Sequence, residues 1–399
     1  MKENVKTGNF ASAVVVALIL FVAIVSLGTS LAILPIYVNK VLGLSPYFVG
    51  AVVTAESVST LLSRAYAGRF SDTRGPKTGM IRGLLLMFVA GALCVAALAT
   101  HGASAYLSFA VVFGSRVLMG VGESLIFTCS GTWPIGLVGR EHAGKIMSWV
   151  GIAMFLGLAI GNYAGVWSYQ HVGLVAGAAA MTGLPLLGTV VVWFIKEVSV
   201  HDDAGHLPLS YAVKRVWKAG AGFALANVGY ASVTSFLALL FLDNGWNGYA
   251  ALALALFGIG YVAARLLLGW RADSSGVNTI VVSLAIEAAG LLCLAYASTP
   301  LYASIGSLLA GFGLSMVYPL LALPAIKSLP EKNIGLALST YESCFDIGIL
   351  LAGAAGGIIA SHVGYASIFV FAFVCSLLAI VCSYFAYQQL FSEVGRAAT

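Results

Sequence analysis

The chain has 399 residues, of which 60% are hydrophobic and only 9% are charged. Soluble globular domains carry about 25% charged and 45–50% apolar residues, so this composition excludes a water-soluble domain and indicates a membrane protein. The formal net charge of +5 reflects basic residues in the loops between apolar stretches, and it gives no indication of a nucleic-acid partner.

Twelve apolar stretches follow one another along the chain, each close to the roughly 20 residues that a helix needs to cross a bilayer. We expect them near 12–38, 46–67, 77–99, 105–128, 145–168, 173–195, 217–241, 248–268, 278–297, 302–325, 335–358 and 364–388. A transmembrane β-barrel would show short alternating segments instead. The predicted fold class is therefore all-α, with twelve transmembrane helices.

Most lysines and arginines fall in alternate loops, and Lys40 is the one basic residue predicted in an outside loop. Because basic loops stay in the cytoplasm, this bias places both termini on the cytoplasmic side. The first apolar stretch is too long for a signal-peptide core, so we expect no cleavable signal.

The sequence repeats itself in order. The repeated positions are Arg64, Gly68, Asp72 and Gly75 with Arg265, Gly269, Asp273 and Gly276, Gly120 and Gly122 with Gly311 and Gly313, and Gly157 and Gly165 with Gly348 and Gly356. The repeat predicts two pseudo-symmetric six-helix bundles, residues 1–195 and 212–399. The polar stretch 196–211 is the predicted cytoplasmic linker.

The run from Gly68 to Lys77 resembles the loop between the second and third helices of the major facilitator superfamily (MFS). Arg116, Gly120 and Gly122 resemble that superfamily's fourth-helix motif. The run from Gly120 to Ser124, together with Trp133 and Gly136, is similar to a bacterial subgroup of sugar, glyphosate or drug efflux proteins. The resemblance implies the fold of two six-helix bundles and secondary transport by alternating access.

Five acids lie in predicted spans, where a charge near the bilayer centre costs at least about 2.5–3.5 kcal/mol. They are Glu56, Glu123, Glu287, Glu342 and Asp346. Glu342 and Asp346 are four residues apart and share a helix face, so at least one should bind a proton readily. They are a candidate proton-coupling pair, with a satisfied structural pair or direct substrate contact as alternatives.

Glu56 lies twelve residues before Gly68, or roughly 18 Å along a helix, which places it near mid-membrane. Arg116 cannot lose its charge there and needs a partner. The candidates are Glu56, Glu123 or an anionic substrate, so all three residues could serve proton coupling and Glu56 and Arg116 also substrate binding; a fixed structural pair is the alternative. Glu287 has no polar companion on its stripe, and we favour a structural role for it.

Asp72, with Gly68 and Gly75, lies at the predicted cytoplasmic rim, where a carboxylate can cap the N-terminus of a helix. We expect a gate formed by these residues with Arg64, Asp273 and Arg265. Simple loop structure is the alternative for Asp72, and snorkelling is the alternative for the two arginines.

Polar or aromatic residues inside spans one, four, seven and ten are candidates for the substrate pathway, because these helices line the cavity in the architecture that the resemblance implies. They are Thr29, Ser30, Asn227, Tyr230, Thr234, Ser315 and Tyr318. Pro35 and Pro319 could bend spans one and ten. The spare acids and the central arginine favour a small polar or zwitterionic solute. The cysteines show no metal-ligand spacing, and we expect neither a metal nor a cofactor.

Together these features predict a monomeric transporter of the bacterial cytoplasmic membrane that exports a small organic solute in exchange for protons. A proton symporter importing a sugar or an organic acid has the same sequence features. An intramembrane enzyme is a remote alternative, because the six histidines all fall in loops or at helix ends, away from Glu342 and Asp346.

Overall fold

The structure is a computed structural model, and it describes residues 2–44, 46–100, 104–198, 207–246, 249–274 and 276–397. Within these ranges the chain is helical and contains no strand. The helices are α1 (Lys2–Ile36), α2 (Pro46–Arg74), α3 (Pro76–Thr100), α4 (Ala105–Val138), α5 (Ala143–His171), α6 (Leu174–Trp193), α7 (Leu209–Asp243), α8 (Ala250–Leu268), α9 (Val277–Ala295), α10 (Pro300–Ser315), α11 (Val317–Lys327), α12 (Ile334–Val363) and α13 (Tyr365–Ala397).

The predicted spans correspond to these helices, with α10 and α11 together forming span ten. In the described residues, eleven segments are long and apolar enough to cross a membrane. The remaining helix, α2, is 29 residues long but carries Glu56 and Arg64, which lower its mean hydropathy. Both side chains are buried, so α2 turns its charged groups towards other helices.

The described chain separates into two compact units, each with a short piece from the other half of the sequence. Unit 1 comprises Met1–Arg140, Trp149–His206 and Lys332–Ser339, and unit 2 comprises Glu141–Ser148, Leu207–Glu331 and Thr340–Thr399. The first turns of α5 and α12 are therefore the exchanged pieces. The predicted boundaries at 195 and 212 stay a prediction, and residues 199–206 of the predicted linker lie outside the described ranges.

Helix packing follows the sequence repeat. In unit 1, α4 packs on α2 and α3, and in unit 2, α10 packs on α8 and α9. A Cβ on Gly120 would meet the carbonyl of Glu56 at 2.5 Å, and a Cβ on the repeat-related Gly311 would lie even closer to the carbonyl of Phe257. Small residues permit such close helix approach in membranes. The repeated glycines thus mark the same helix crossings in each unit.

The glycines of spans five and eleven also pack as the repeat predicts. Gly157 and Gly165 lie against α1, at Ile24 and Thr29. On α12, Gly348 lies against Asn227 and the carbonyl of Ala224 on α7, in contact too close to admit a side chain. Close packing at glycines therefore holds span five against span one and span eleven against span seven.

Span ten is interrupted between α10 and α11, as the presence of Pro319 suggests. α10 ends at Ser315 and α11 begins at Val317. Because a proline has no N–H, Pro319 cannot donate to the carbonyl of Ser315, four residues earlier. The carbonyl oxygen of Ser315 is thereby available to a side chain.

Candidate functional site

The core of unit 1 contains an ion pair that joins three helices. The guanidinium of Arg116 on α4 pairs with Glu56 on α2, and its Nη1 donates to the hydroxyl of Ser30 on α1. The two charged side chains expose only 1% and 6% of their surface. Glu56, one of the partners that the sequence left open for Arg116, is thus paired with it in the structure.

A second carboxylate lies beside this pair. Thr60, one turn after Glu56 on α2, donates from Oγ1 to Glu123 Oε2 at 2.9 Å and is 3.2 Å from the carbonyl of Gly120. Glu123 is two turns after Arg116 on α4 and acts on that guanidinium electrostatically. Two acids therefore stand near one buried arginine.

The ion pair leaves polar atoms unused. Glu56 Oε1 and Arg116 Nε are buried and have no hydrogen-bond partner among the described residues. An unpaired buried polar atom costs about 1–3 kcal/mol, and more when the group is charged. One acceptor and one donor are thus left to bind a further polar group, which marks this pair as the candidate site in unit 1.

In unit 2, Glu342 and Asp346 lie on α12, as predicted, but in different surroundings. Glu342 is buried, and Tyr318 donates to its Oε1 at 3.3 Å, whereas Asp346 is partly exposed. The rings of Tyr318 and Phe223 are 5.4 Å apart, in an aromatic cluster that also includes Tyr341. The phenol of Tyr318 thus donates to the more deeply buried of the two acids.

Arg265 on α8 is also buried, and its donors are taken by uncharged oxygens. Nε donates to the carbonyl of Ser315 at 2.7 Å, which is the carbonyl freed by Pro319. Nη2 donates to the hydroxyl of Tyr261 at 2.7 Å. Nη1 donates to the carbonyls at positions 147 and 148 of α5, both at 3.0 Å. This burial excludes snorkelling for Arg265, and the guanidinium fixes the first turns of α5 in unit 2.

Asp72 binds the start of α12 in unit 1. Its two carboxylate oxygens accept from the backbone N–H groups of Gly335 and Leu336 at 2.6 and 2.9 Å. The first N–H groups of a helix have no partner within the helix, and a carboxylate there is also favoured by the helix dipole. Asp72 lies beyond the predicted span, and burial raises its pKa to about 7 while the two N–H groups oppose the rise.

Two glycines complete this loop. Gly75 has a φ of +88°, a left-handed conformation that lets α2 turn into α3 without strain. A Cβ on Gly68 would lie 2.6 Å from the carbonyl of Gly335, so only glycine permits α2 to approach α12 so closely. Arg64 is buried with its guanidinium 5.2 Å from the ring centre of Phe127.

The other predicted substrate residues bind their own or neighbouring helices. Thr29 Oγ1 donates to the carbonyl of Val25 at 2.9 Å and lies 3.2 Å from that of Gly161. The Asn227 amide, the Thr234 hydroxyl and the Ser315 hydroxyl donate to Phe223, Tyr230 and Tyr261 carbonyls at 2.7, 3.0 and 2.6 Å. The side chain of Asp273 lies outside the described part of the chain. Their role as substrate residues stays a prediction.

Sequence reasoning missed Tyr261 as the partner of Arg265, although its spacing of four residues on one helix contained the signal. It also could not foresee that backbone carbonyls of α5 would accept from the same arginine. Within the described residues, no group of three His, Cys, Asp or Glu side chains could hold a metal ion.

Comparison with known proteins gives matches over nearly the whole chain. The sequence profile described as Major Facilitator Superfamily matches residues 16–276 and 221–395. An uncharacterized MFS-type transporter of Escherichia coli (strain K12), YhhS, is 36% identical over 349 residues, covering 86% of this chain and 84% of YhhS. One from Burkholderia mallei (strain SAVP1) is 35% identical over 374 residues, covering 92% and 90% of the two chains.

Two solved structures show that the fold is shared at low sequence identity. The fucose:proton symporter FucP of E. coli superimposes with a TM-score of 0.79 at 15% identity, over 94% of this chain and 98% of FucP. The human organic anion transporter MFSD10 superimposes with a TM-score of 0.75 at 16% identity, over 96% and 99%. The profile match and the bacterial relatives establish that this multi-pass membrane protein belongs to the Major Facilitator Superfamily, a family of transporters.

Proposed function

We propose that the protein is a proton-coupled exporter of the bacterial inner membrane, with both termini in the cytoplasm. It exchanges protons for a small polar or zwitterionic organic solute by alternating access. The observation that supports this function is the buried pair of Arg116 and Glu56, which keeps one donor atom and one acceptor atom unused beside a second acid, Glu123.

The charges of Arg116 and Glu56 predict whether the proton and the solute move in opposite directions or together. A zwitterionic solute would place its cationic group on Glu56 Oε1 and its anionic group on Arg116 Nε. A proton on Glu56 removes the charge that binds the cationic group, so proton and solute compete. Such competition is the requirement for exchange, and a membrane potential of 100 mV adds about 2.3 kcal/mol for each elementary charge moved.

The same pair would give the opposite sign with an organic acid. Protonation of Glu56 removes one of the negative charges beside Arg116, and a buried arginine keeps its charge. The guanidinium would then bind an anionic solute more tightly when Glu56 is protonated. Proton and solute would move together, so the solute's own charge decides between antiport and symport.

Counterflow in proteoliposomes tests the function directly. A panel of zwitterionic, anionic and uncharged small solutes is added to vesicles that enclose a pH-sensitive dye. Antiport predicts proton movement opposite to the solute, and only with members of the zwitterionic class. Transport that is unchanged after a protonophore collapses the gradient would remove the coupling, and proton movement in the same direction as the solute would establish symport.

Two variants separate the candidate proton carriers. Glu56→Gln keeps the shape of the side chain but cannot titrate, and we expect it to abolish solute-driven proton movement. Glu342→Gln, the matched change in unit 2, should preserve proton movement if Glu56 is the carrier. The reverse result would transfer the role to Glu342 and Asp346.

The proposed gate consists of two contacts that each hold the start of a helix. Asp72 holds the first turn of α12, and Arg265 holds the first turns of α5. We expect both contacts to break and re-form in each transport cycle. Gly68 and Gly75 shape the Asp72 contact, while Arg64 and Asp273 are assigned to the gate from the repeat alone.

A further inference from the structure

Glu287 on α9 is a buried acid that the proposed mechanism does not use. The residue exposes 1% of its surface. Both carboxylate oxygens are buried, and neither meets hydrogen-bond geometry with a described residue, although the Ser376 hydroxyl lies beside the carboxyl group. No salt bridge to it is found among the described residues. Its setting therefore differs from that of Glu56, which has an arginine, and that of Glu342, which has a phenol.

Three helices pack around this carboxyl group. From α7, Gly229 lies so close that a Cβ there would be 2.5 Å from Glu287 Oε1. From α10, Gly313 lies against the backbone of Glu287. From α13, the Ser376 hydroxyl faces the carboxyl group and donates to the Leu284 carbonyl at 3.2 Å. The thiol of Cys375, on the same helix, also faces the carboxyl group. That thiol is the titratable group on these helices that interacts with the carboxyl group.

An ionised carboxylate in such a place would be very unstable. Moving an isolated carboxylate from water into a medium of low dielectric is strongly unfavourable, so the group binds a proton instead. A neutral carboxyl needs far less compensation. The geometry therefore requires a proton on Glu287 while α7, α9, α10 and α13 are packed as observed.

The sequence repeat shows that packing alone does not require an acid here. In unit 1, Gly122 on α4 contacts Gly83 and Met87 on α3. In unit 2, the repeat-related Gly313 contacts Ser283 and Glu287 on α9. The place of Glu287 is thus taken in unit 1 by Met87, which is fully buried. A methionine fills the equivalent space, so the carboxyl supplies something other than volume.

We propose that Glu287 is a second proton-binding site, separate from the Arg116 site, and that it reports the position of α7. Because Gly229 has no side chain, Oε1 touches the α7 backbone directly. Movement of α7 away from α9 would admit water to the carboxyl group and allow it to release its proton. Asn227 and Tyr230 flank Gly229 in sequence, so this inference rests on the proposed function in treating α7 as part of the solute pathway.

Infrared difference titration of the full chain in lipid bilayers tests the site without any solute. The wild type should show a protonated carboxyl C=O band at neutral pH that is absent in Glu287→Gln. Glu287→Met copies the residue of the equivalent position and should fold and also lack the band. If neither variant removes a protonated carboxyl band, Glu287 is ionised and the proposal is wrong.

A glycine pair tests the link to α7. Gly229→Ala places a methyl group against Oε1 and should shift the midpoint of the Glu287 band by at least one pH unit, a tenfold change in proton affinity. Gly258→Ala in α8 is the matched control, because a Cβ there meets nothing within 4 Å. A band midpoint that does not move in Gly229→Ala would overturn the link. Because these measurements need no transport, failure of the proposed export leaves their outcome readable.

Discussion

Two different positions of the repeated loop motif each hold the start of a helix, one in each unit, and they do so with opposite chemistry. In unit 1, Asp72 accepts two N–H groups of α12, and in unit 2, Arg265 donates to two carbonyls of α5. Gly68 and Gly269 stand at the same place in the repeat, against α12 and α5 respectively. Asp72 and Arg265 occupy different positions of the repeat, so each contact has its own donor and acceptor.

The difference follows from which backbone groups can form a further hydrogen bond at each place. Gly335 and Leu336 are in the first turn of α12, where N–H groups have no helical partner and attract a carboxylate. The carbonyls at 147 and 148 lie inside α5, where an arginine can use a second lone pair on each oxygen. Arg265 is additionally oriented by the Ser315 carbonyl that Pro319 leaves free.

Arg265→Met should cause the largest loss of stability. It removes several hydrogen bonds to a charged group and leaves the Ser315 carbonyl buried without a donor, for a cost of about 3 kcal/mol. Equilibrium unfolding of the purified protein in mixed micelles would measure it. Arg265→Lys is the control, since it keeps the charge but not the planar fork, and we expect an intermediate loss. A lysine variant as stable as the wild type would show that charge alone holds α5.

Asp72→Ala should release the start of α12 without unfolding unit 1. Each hydrogen bond to a charged group contributes about 1.5–3 kcal/mol, so amide hydrogens at Gly335 and Leu336 should exchange about 10- to 100-fold faster. Hydrogen exchange with mass spectrometry measures this directly. Peptides from α9 should exchange at the wild-type rate. Unchanged protection at residues 335 and 336 would contradict the assigned contact.

Alanine at Gly68 and alanine at Gly269 should affect the two contacts to different extents. Gly68→Ala places a Cβ 2.6 Å from the Gly335 carbonyl and should destabilise by about 1–2 kcal/mol, because backbone must move. Gly269→Ala places a Cβ 3.3 Å from the Ser148 side chain, which is a tight but tolerable distance. Thermal unfolding should therefore distinguish the two variants, and equal midpoints would show that the contacts are equally close.

The Asp72 contact should also depend on pH. Its pKa is about 7 in the contact and returns towards the ordinary 3.8 when α12 leaves and water reaches the carboxyl group. The contact state binds the proton more tightly, so this contribution is full below about pH 4 and is lost as pH rises through 7. Exchange protection at 335 and 336, corrected for intrinsic rates, should fall over this window. The Asp72→Asn variant should show no such fall.

Much of this architecture could be predicted from the sequence, because apolar length and repeated glycines constrain it strongly. The helices, the role of Pro319 and the close packing at Gly120 and Gly311 all follow from residue type and spacing. The partner of Arg116 could not be predicted. Glu56 and Glu123 are both plausible partners by spacing, and the choice depends on the rotation of α2 relative to α4, which no local pattern specifies.

The surroundings of the buried acids also could not be predicted from the sequence. In the sequence, Glu287 and Glu342 are both acids in apolar helices. In the structure, the buried oxygens of Glu287 have no hydrogen-bond partner among the described residues, whereas Glu342 accepts from Tyr318. The difference arises from residues far away in sequence, such as Gly229 and Ser376. Side-chain environments of this kind depend on tertiary packing, so spacing on one helix cannot determine them.

The smallest expected effect concerns Pro319 and tests why Arg265 takes its present orientation. Pro319→Ala restores an N–H that can bond the Ser315 carbonyl within a continuous helix, so Arg265 loses exclusive use of that acceptor. Alone, the change should alter the unfolding free energy by less than about 1 kcal/mol, since one donor replaces another.

Combined with Arg265→Met, the same change should recover about 1 kcal/mol of the loss, because the orphaned carbonyl regains a partner. A double-mutant cycle measures this coupling, and the two sites share one acceptor, so their effects should not add. Strict additivity would mean that the Ser315 carbonyl is satisfied without Arg265. The contact of Arg265 would then depend only on its hydrogen bonds to α5, as the contact of Asp72 depends on its hydrogen bonds to α12.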